Sequence, residues 1–208
     1  MLIQEFYFNS MLRKIVSGDM FPGPEIFRVA SRQQGLAVLF LIFFVISMVT
    51  FILWFRRAYY NLNLLIDGTA HNESWAAGAW FVPIIGLYRP YEIMKELYVK
   101  SETYLKEHSP DYIPWLKTSN VGWWWGFWML SNVIGQISIR LTLKADTPTE
   151  LLTASNIALV DRPVSIILSL ITIRVMRDYA STEPFLEQVI PVPQFPPLPG
   201  MEETPSVS

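Results

Sequence analysis

Residues 36–55 read LAVLFLIFFVISMVTFILWF, a run of twenty residues without a charged side chain. A helix rises about 1.5 Å per residue, so the run is long enough to cross the hydrocarbon core of a bilayer, which is about 30 Å thick. Trp54 lies at the end of the run and Arg56 and Arg57 follow it directly, which is typical of a boundary between membrane and water. The run therefore predicts a transmembrane helix.

The composition of the 208-residue chain also indicates a membrane protein. Hydrophobic residues make up 51% of the chain and charged residues only 16%, whereas soluble domains carry about 25% charged residues. The net charge of -2, without a basic block, excludes an electrostatic surface for nucleic acid. The absence of Cys excludes disulfides, thiolate metal sites and cysteine nucleophiles. We therefore expect an all-α integral membrane protein that does not bind nucleic acid.

Two further segments predict spans, which gives three transmembrane helices within a helical membrane domain over residues 36–183. Residues 121–143 begin with a Trp cluster, as expected where a helix enters the bilayer. The third span, residues 152–173, is the least apolar because two charged residues lie within it. Before it come Thr147, Pro148 and Glu150, at the spacing of a helix N-cap, a first-turn Pro and the acid of a capping box.

The segment between the first two predicted spans has two parts. Residues 75–88 read WAAGAWFVPIIGLY, which is too short and too broken by Pro83 to span the bilayer, so we expect a re-entrant or interfacial helix with both ends on one side. Residues 90–108 predict an amphipathic helix on the membrane surface. Its charge pairs at i and i+4 are expected to form a solvated face: Glu96 with Lys100, and Glu102 with Lys106.

The two ends of the chain are expected to lie outside the bilayer core. Residues 1–35 predict an N-terminal interfacial segment of short helices, with Pro22 and Pro24 as breaks. Residues 184–208 contain seven Pro and predict a disordered, extended tail. Lys and Arg are more frequent on the side of residues 56–120 than on the opposite side, so we expect this loop and the C-terminus to be cytoplasmic.

Polar side chains inside the predicted spans need protein or water around them, because lipid offers no hydrogen bonds. A tight connection centred near Asp146 would place Asn132 level with Val160 and Asp161, and Gln136 level with Asn156, whereas a longer one would bring Gln136 to Ser165. The sequence leaves both registers open, and it favours a hydrogen-bonded seam between the helices over a transport or ligand site. The candidate intramembrane cluster consists of Asn132, Gln136, Arg140, Asp161 and Arg162.

Asp161 and Arg162 point about 100° apart on a helix, so each needs a partner elsewhere. The expected partners of Asp161 are Asn132 or Arg140. Those of Arg162 are Ser165, the backbone carbonyls freed at the Pro163 kink, or Ser47 and Thr50.

Three stretches carry a resemblance to one family: WFRRAYYNL from Trp54, WAAGAWFVPIIGLYRPYEIMKELY from Trp75 and WWWGFWMLSN from Trp123. They closely resemble the bacterial membrane family known as domain of unknown function 4328, over about residues 36–143 and more weakly to residue 183. The resemblance implies a multi-span fold in a bacterial inner membrane, and no catalytic role. The matching positions that it implies to be structural are Arg57, Asn61, Trp75, Trp80, Pro83, Arg89 and Pro90.

Two features of this sequence depart from the family pattern. Gly86 stands where an Asn is expected before the Leu-x-Arg-Pro element. Relatives usually carry a further span upstream, which implies a natural start before Met1. Arg89 keeps the pattern, and we expect it to anchor the open end of the re-entrant turn or to reach a lipid phosphate.

The sequence offers no nucleophile with a base, no paired carboxylates, no set of metal ligands and no phosphate-binding loop, so we expect no catalytic, cofactor-binding or metal-binding residues. We expect a non-enzymatic integral membrane protein, in contact with membrane lipid, that binds a protein partner through its cytoplasmic surface. The binding elements would be the helix over residues 90–108 or the Pro-rich tail. The alternative is a small transporter or channel subunit that uses the Asp161, Arg162 and Asn132 cluster. A membrane enzyme is the weakest hypothesis.

Overall fold

The computed structural model describes residues 2–19, 23–109 and 112–189, and the described chain is all-helical, without a strand. The prediction of an all-α protein is therefore confirmed for the described residues. Short 3-10 turns at Ala79–Phe81 and Ile85–Leu87 lie between the third and fourth helices. The α-helices are α1 (Leu2–Val16), α2 (Pro24–Leu65), α3 (Ser74–Gly78), α4 (Arg89–His108), α5 (Thr118–Lys144), α6 (Pro148–Ala180) and α7 (Glu183–Val189).

Helix α2 has 42 residues and is therefore about 63 Å long. It begins at Pro24 and contains the whole apolar run of residues 36–55. The prediction that residues 24–35 form separate interfacial helices is therefore wrong. Pro24 occupies the first helical turn, where a missing N–H costs nothing, so it starts a helix instead of breaking one.

By length and composition, two segments could cross a membrane: residues 27–65 and residues 148–186. Few of their apolar side chains are buried inside the protein, so these surfaces face outward. Both segments correspond to predicted spans, the first and the third. Helix α5 is long enough to span, but its polar side chains Asn132, Gln136 and Arg140 reduce its apolar content, and it is not one of the two.

Helices α5 and α6 form an antiparallel hairpin joined by residues 145–147. The predicted capping box is confirmed: the Thr147 hydroxyl accepts the Glu150 N–H at 3.3 Å, and the Glu150 carboxylate accepts the Thr147 N–H at 3.2 Å. The hydroxyls of Ser131 and Ser165 lie 3.5 Å apart, a pairing that matches neither register considered from the sequence. The side chains at this contact are small and let the two helices approach closely. The register between α5 and α6 therefore follows close packing and not the matching of polar residues.

Residues 74–88 form a broken helical segment, in which the turns before and after Pro83 close onto each other. The Gly86 N–H donates to the Val82 carbonyl at 2.7 Å. A Cβ added at Gly86 would lie 2.9 Å from the Ala79 carbonyl oxygen, closer than real Cβ contacts come. This close approach accounts for Gly at a position where the family pattern suggests Asn.

Helix α4 was expected to lie on the membrane surface with its apolar face toward lipid, and this prediction is wrong. The apolar side chains of this face are fully buried in the protein core, which α4 shares with the C-terminal part of α2, the start of α5 and the end of α6. The Tyr98 hydroxyl donates to the Val175 carbonyl at 2.7 Å and ties α4 to α6. Amphipathic periodicity shows that a helix has an apolar face, but not whether lipid or protein covers it. The buried residues include Ile93, Met94, Leu97, Tyr98, Phe55, Tyr59, Trp124 and Tyr179.

The two terminal helices dock onto this bundle. Helix α1 packs against the N-terminal half of α6 and buries Phe8, Met11 and Leu12. Helix α7 packs against the end of α4, where Leu186 lies in a small apolar cluster with Leu105 and Tyr112. Residues 184–189 are therefore helical, and the expectation of disorder is wrong for them because this apolar cluster stabilises the helix. The remainder of the Pro-rich tail, residues 190–208, lies outside the described residues.

Candidate functional site

A buried carboxylate, Glu5 of α1, bonds to two other helices. Its Oε2 accepts a hydrogen bond of 2.6 Å from Gln33 on α2, and its Oε1 accepts one of 3.2 Å from the Ser155 hydroxyl on α6. The guanidinium of Arg162 on α6 lies 4.0 Å from Oε2. Glu5 is 4% exposed, and burial of a carboxylate is costly unless partners of this kind surround it.

Further hydrogen bonds continue along α1. Asn9 donates to the Ser155 hydroxyl at 3.2 Å and to the Asn156 side chain at 2.9 Å. Arg13 donates to Asn9 at 2.9 Å and to Asn156 at 3.2 Å. Residues 5, 9 and 13 lie four apart, so they share one face of α1. We call the set that joins α1 to α2 and α6 the polar seam: Glu5, Asn9, Arg13, Gln33, Ser155, Asn156 and Arg162.

The polar seam reaches into the level of the apolar run. The Arg162 guanidinium lies 5.5 Å from the centre of the Phe40 ring, and Phe40 is four residues, about 6 Å, inside the run that begins at Leu36. Three buried polar atoms of the polar seam and of the adjoining Asp161 have no hydrogen-bond partner in the described part of the chain. They are Gln33 Oε1, Asp161 Oδ1 and Arg162 Nε. Unpaired polar atoms at this depth are costly, so they mark the neighbourhood as a functional candidate.

The residues of the predicted intramembrane cluster do not meet as one group. Asn132, Gln136 and Arg140 share the exposed side of α5, and Asn132 donates at 2.8 Å to the Trp128 carbonyl of its own helix. None of the hydrogen bonds or ion pairs of the described residues joins these three to Asp161 or Arg162.

Arg162 instead meets Glu5, so the expected partners Ser165, Ser47 and Thr50 are wrong for its charge. Glu5 was not among the predicted site residues, because residues 1–35 were expected to lie at the membrane surface. The spacing of Glu5, Asn9 and Arg13 was the available signal for a polar face on α1.

A second polar cluster fixes the loop between α2 and α3 to α4. The Glu96 carboxylate accepts hydrogen bonds from Lys100 at 2.7 Å, from the Ala70 N–H at 2.6 Å and from the Tyr59 hydroxyl at 2.7 Å. Burial raises the pKa of Glu96, but the three hydrogen bonds outweigh it and lower the pKa below its ordinary value. The prediction of a solvated pair is wrong here, because the Glu96 side chain is only 10% exposed.

The other charge pair of α4 is solvated at its cation only. Lys106 Nζ lies 3.2 Å from the Glu102 carboxylate; the Lys106 side chain is 52% exposed, but the Glu102 side chain is only 17% exposed. A cation that is half exposed is screened by water, so its ion pair contributes little to stability.

Arg89, at the start of α4, joins the same loop to the broken segment. Its guanidinium donates to His71 Nδ1 at 2.7 Å, and its Nε lies 3.8 Å from the Glu92 carboxylate. The guanidinium also lies 5.5 Å from the Trp75 ring centre and 5.6 Å from that of Tyr88. A planar cation that makes polar and cation–π contacts together fixes the end of the segment.

Trp80 lies at the centre of an aromatic cluster that connects the broken segment to α2 and α5. Its indole N–H donates to the Ala76 carbonyl at 3.1 Å. The rings around Trp80, with centres 5.6 to 6.3 Å away, are Phe51, Phe55, Trp124, Trp125 and Trp128.

The other positions that the family resemblance implied to be structural differ in burial. Arg57 and Pro83 are exposed, Asn61 is half-buried and Pro90 is buried.

The family described as domain of unknown function (DUF4328) has a model that matches residues 24–181 of this chain. The match covers more than half of the sequence. The chain belongs to the DUF4328 family. No curated protein and no solved structure matches it.

The DUF4328 match begins at the first residue of α2 and ends just after α6. The aromatic cluster and the Arg89 and Glu96 contacts therefore lie inside the family domain. Glu5, Asn9 and Arg13 lie outside it, while their partners on α2 and α6 lie inside. Among the described residues, no group of three His, Asp or Glu side chains could hold a metal ion.

Proposed function

We propose that this DUF4328 protein is a non-enzymatic integral membrane protein that binds a protein partner through its cytoplasmic surface. The observation that carries the proposal is the packing of α7 on α4, in which Leu186 is buried with Leu105 and Tyr112. This contact places residues 184–189, where the Pro-rich tail begins, beside α4. A Pro-rich strip binds aromatic grooves at low entropic cost because its extended form is already populated.

The outward face of α4 is the second element of the proposed binding surface. It is polar with one central apolar side chain, Val99, while the opposite face is buried in the core. A mixed surface of this kind suits a reversible partner better than lipid. The exposed residues of the face are Glu92, Lys95, Val99, Thr103 and Lys106.

The proposal includes a topology of three spans in a bacterial inner membrane, with α2, α5 and α6 crossing the bilayer. Helix α5 is included because it packs along α6 and exposes Leu130, Val133 and Ile137. Residues 75–88 enter the cytoplasmic interface as a re-entrant segment, with Ile84 76% exposed toward lipid. The excess of Lys and Arg puts residues 56–120 and the C-terminus in the cytoplasm.

Labelling of single cysteines tests the topology, since the natural chain has no Cys. Asp67→Cys and Thr103→Cys, at exposed positions before and after the broken segment, should react only from the cytoplasmic side. Asp146→Cys, at the α5–α6 connection, should react only from the opposite side. Reaction of Asp67→Cys and Thr103→Cys from opposite sides would contradict the re-entrant segment and the orientation.

Photocrosslinking in cells tests the partner. A photoreactive residue at Val99 should give a discrete protein adduct, and deletion of residues 190–208 should reduce its yield. The matched control is a photoreactive residue at Leu130, an exposed apolar position of α5, which should crosslink to lipid only. An adduct pattern at Val99 identical to that at Leu130, with or without the tail, would refute partner binding at this surface.

A transporter or channel subunit is the second candidate, and the polar seam favours it. The pair of Glu5 and Arg162, next to Asp161 with an unpartnered oxygen, places ionisable groups at the level of the apolar run. The candidate predicts ion or proton flux in liposomes that Asp161→Asn or Glu5→Gln abolishes while the fold is retained. If liposomes with the wild-type protein show no more flux than liposomes without it, this candidate function is refuted.

A further inference from the structure

An open groove lies between α1 and the first turns of α2. It holds about 890 Å³, within the range of sites for small molecules. Tyr7 of α1 forms one wall and the start of α2 forms the other. The described residues that line it are Tyr7, Phe27, Arg28, Val29, Ser31 and Arg32.

Two cationic side chains line the groove. Arg28 and Arg32 are four residues apart and therefore share one face of α2. Both are exposed, and neither has an ion-pair partner among the described residues. The nearby acid on α1, Glu5, already accepts hydrogen bonds from Gln33 and Ser155. Two guanidinium forks on one face of a groove are complementary to an anion.

The groove lies at the headgroup level in the topology proposed above. Arg32 precedes the apolar run at Leu36 by four residues, about 6 Å, and Arg28 precedes it by about 12 Å. Ile3 shares the face of Tyr7, one turn nearer the level of the apolar run, and is 84% exposed. Cations therefore lie above an uncovered apolar surface, in the same order as the phosphate and acyl chains of a phospholipid.

We propose that this groove binds the headgroup of an anionic phospholipid, with its phosphate between Arg28 and Arg32. Tyr7 and Ser31 also line the groove, and each carries a hydroxyl that can donate a hydrogen bond. A free inorganic anion would satisfy the arginines but leave Ile3 and the apolar surface of α2 uncovered, so the lipid is the better match. The placement of this groove at the headgroup level rests on the topology proposed above. Lipid binding in detergent can be measured whichever side of the membrane the groove faces.

The test uses the purified full-length protein in mild detergent, titrated with phosphatidylglycerol or phosphatidylcholine and followed by native mass spectrometry. Phosphatidylglycerol should bind at least about tenfold more tightly than phosphatidylcholine, and Arg28→Gln with Arg32→Gln should remove this preference. The matched control is Arg140→Gln, an exposed cation of α5 outside the groove, which should change binding less than about twofold. Retained preference in the double variant, or an equal loss in Arg140→Gln, would overturn the proposal.

Two further measurements separate lipid binding from other causes. Ser31→Tyr fills the groove without changing its charge and should also abolish the preference for phosphatidylglycerol. The test therefore does not depend on the folding of the double arginine variant alone. Inorganic phosphate at millimolar concentration should neither bind to nor stabilise the wild-type protein as phosphatidylglycerol does. Equal stabilisation by phosphate would overturn the lipid in favour of a soluble anion. Labelling of single cysteines can fail independently, so an error in topology is distinguishable from an error in this site.

Discussion

Replacement of Glu5 by Ala removes the acceptor for Gln33 and Ser155 and leaves the Arg162 guanidinium without its carboxylate. Hydrogen bonds to a charged group contribute about 1.5 to 3 kcal/mol each. Removal of one partner from a buried ion pair costs about 3 to 5 kcal/mol. The 4.0 Å separation and the 21% exposure of the Arg162 side chain place this case at the lower end.

The expected loss is therefore about 3 kcal/mol in the free energy that docks α1 on α6. Because about 1.4 kcal/mol corresponds to a tenfold change in an equilibrium constant, the undocked population should rise about a hundredfold. Hydrogen exchange of the α1 backbone amides, measured on the full-length protein in detergent, reports this population directly. Asn9 and Arg13 retain their bonds to Asn156, so α1 should open more often and remain helical when docked.

Two variants make the result decisive. Lys106→Ala removes the exposed cation of the pair that it forms with Glu102 on α4, and it should change stability by less than about 0.5 kcal/mol. Glu5→Ala combined with Arg162→Met removes the stranded charge and should recover part of the loss. If Glu5→Ala leaves α1 exchange unchanged, or if the double variant is no more protected than the single, then the Glu5 to Arg162 contact does not hold α1.

Three other changes should affect stability in ways that the packing specifies. Trp80→Ala removes the centre of the aromatic cluster and should cost about 3 to 5 kcal/mol by thermal or chemical unfolding, while Trp123→Ala at an exposed position should cost far less. Gly86→Ala should cost about 1 to 3 kcal/mol because its Cβ meets a carbonyl oxygen, whereas Gly122→Ala, with open space around the Cβ, should be tolerated. The lowered pKa of Glu96 stabilises the fold fully above the ordinary pKa of Glu, and this contribution is lost as pH falls through the lowered value. The melting temperature of Glu96→Gln should therefore fall less steeply on acidification than that of the wild type, and parallel curves would contradict this role.

Local signals in the sequence determined the features that depend on neighbouring residues. The uninterrupted apolar run of residues 36–55 defines the first long helix, and Thr147 and Glu150 define the start of α6 within one turn. The motifs around Trp54, Trp75 and Trp123 were sufficient for the family, which the match over residues 24–181 confirms. These features were predictable because each depends on residues close together in the chain.

Only the tertiary structure decided which surfaces meet. Hydrophobic periodicity gave α4 an apolar face, but the protein core covers that face, since a periodic pattern does not name its partner. Pro24 could break a helix or begin one, and the fold decided that it begins α2. Glu5 and Arg162 lie 157 positions apart in the sequence, and no local pattern connects them. Their contact exists because α1 folds back between the start of α2 and α6, so that a charge in a marginal apolar helix finds its counterion on another helix.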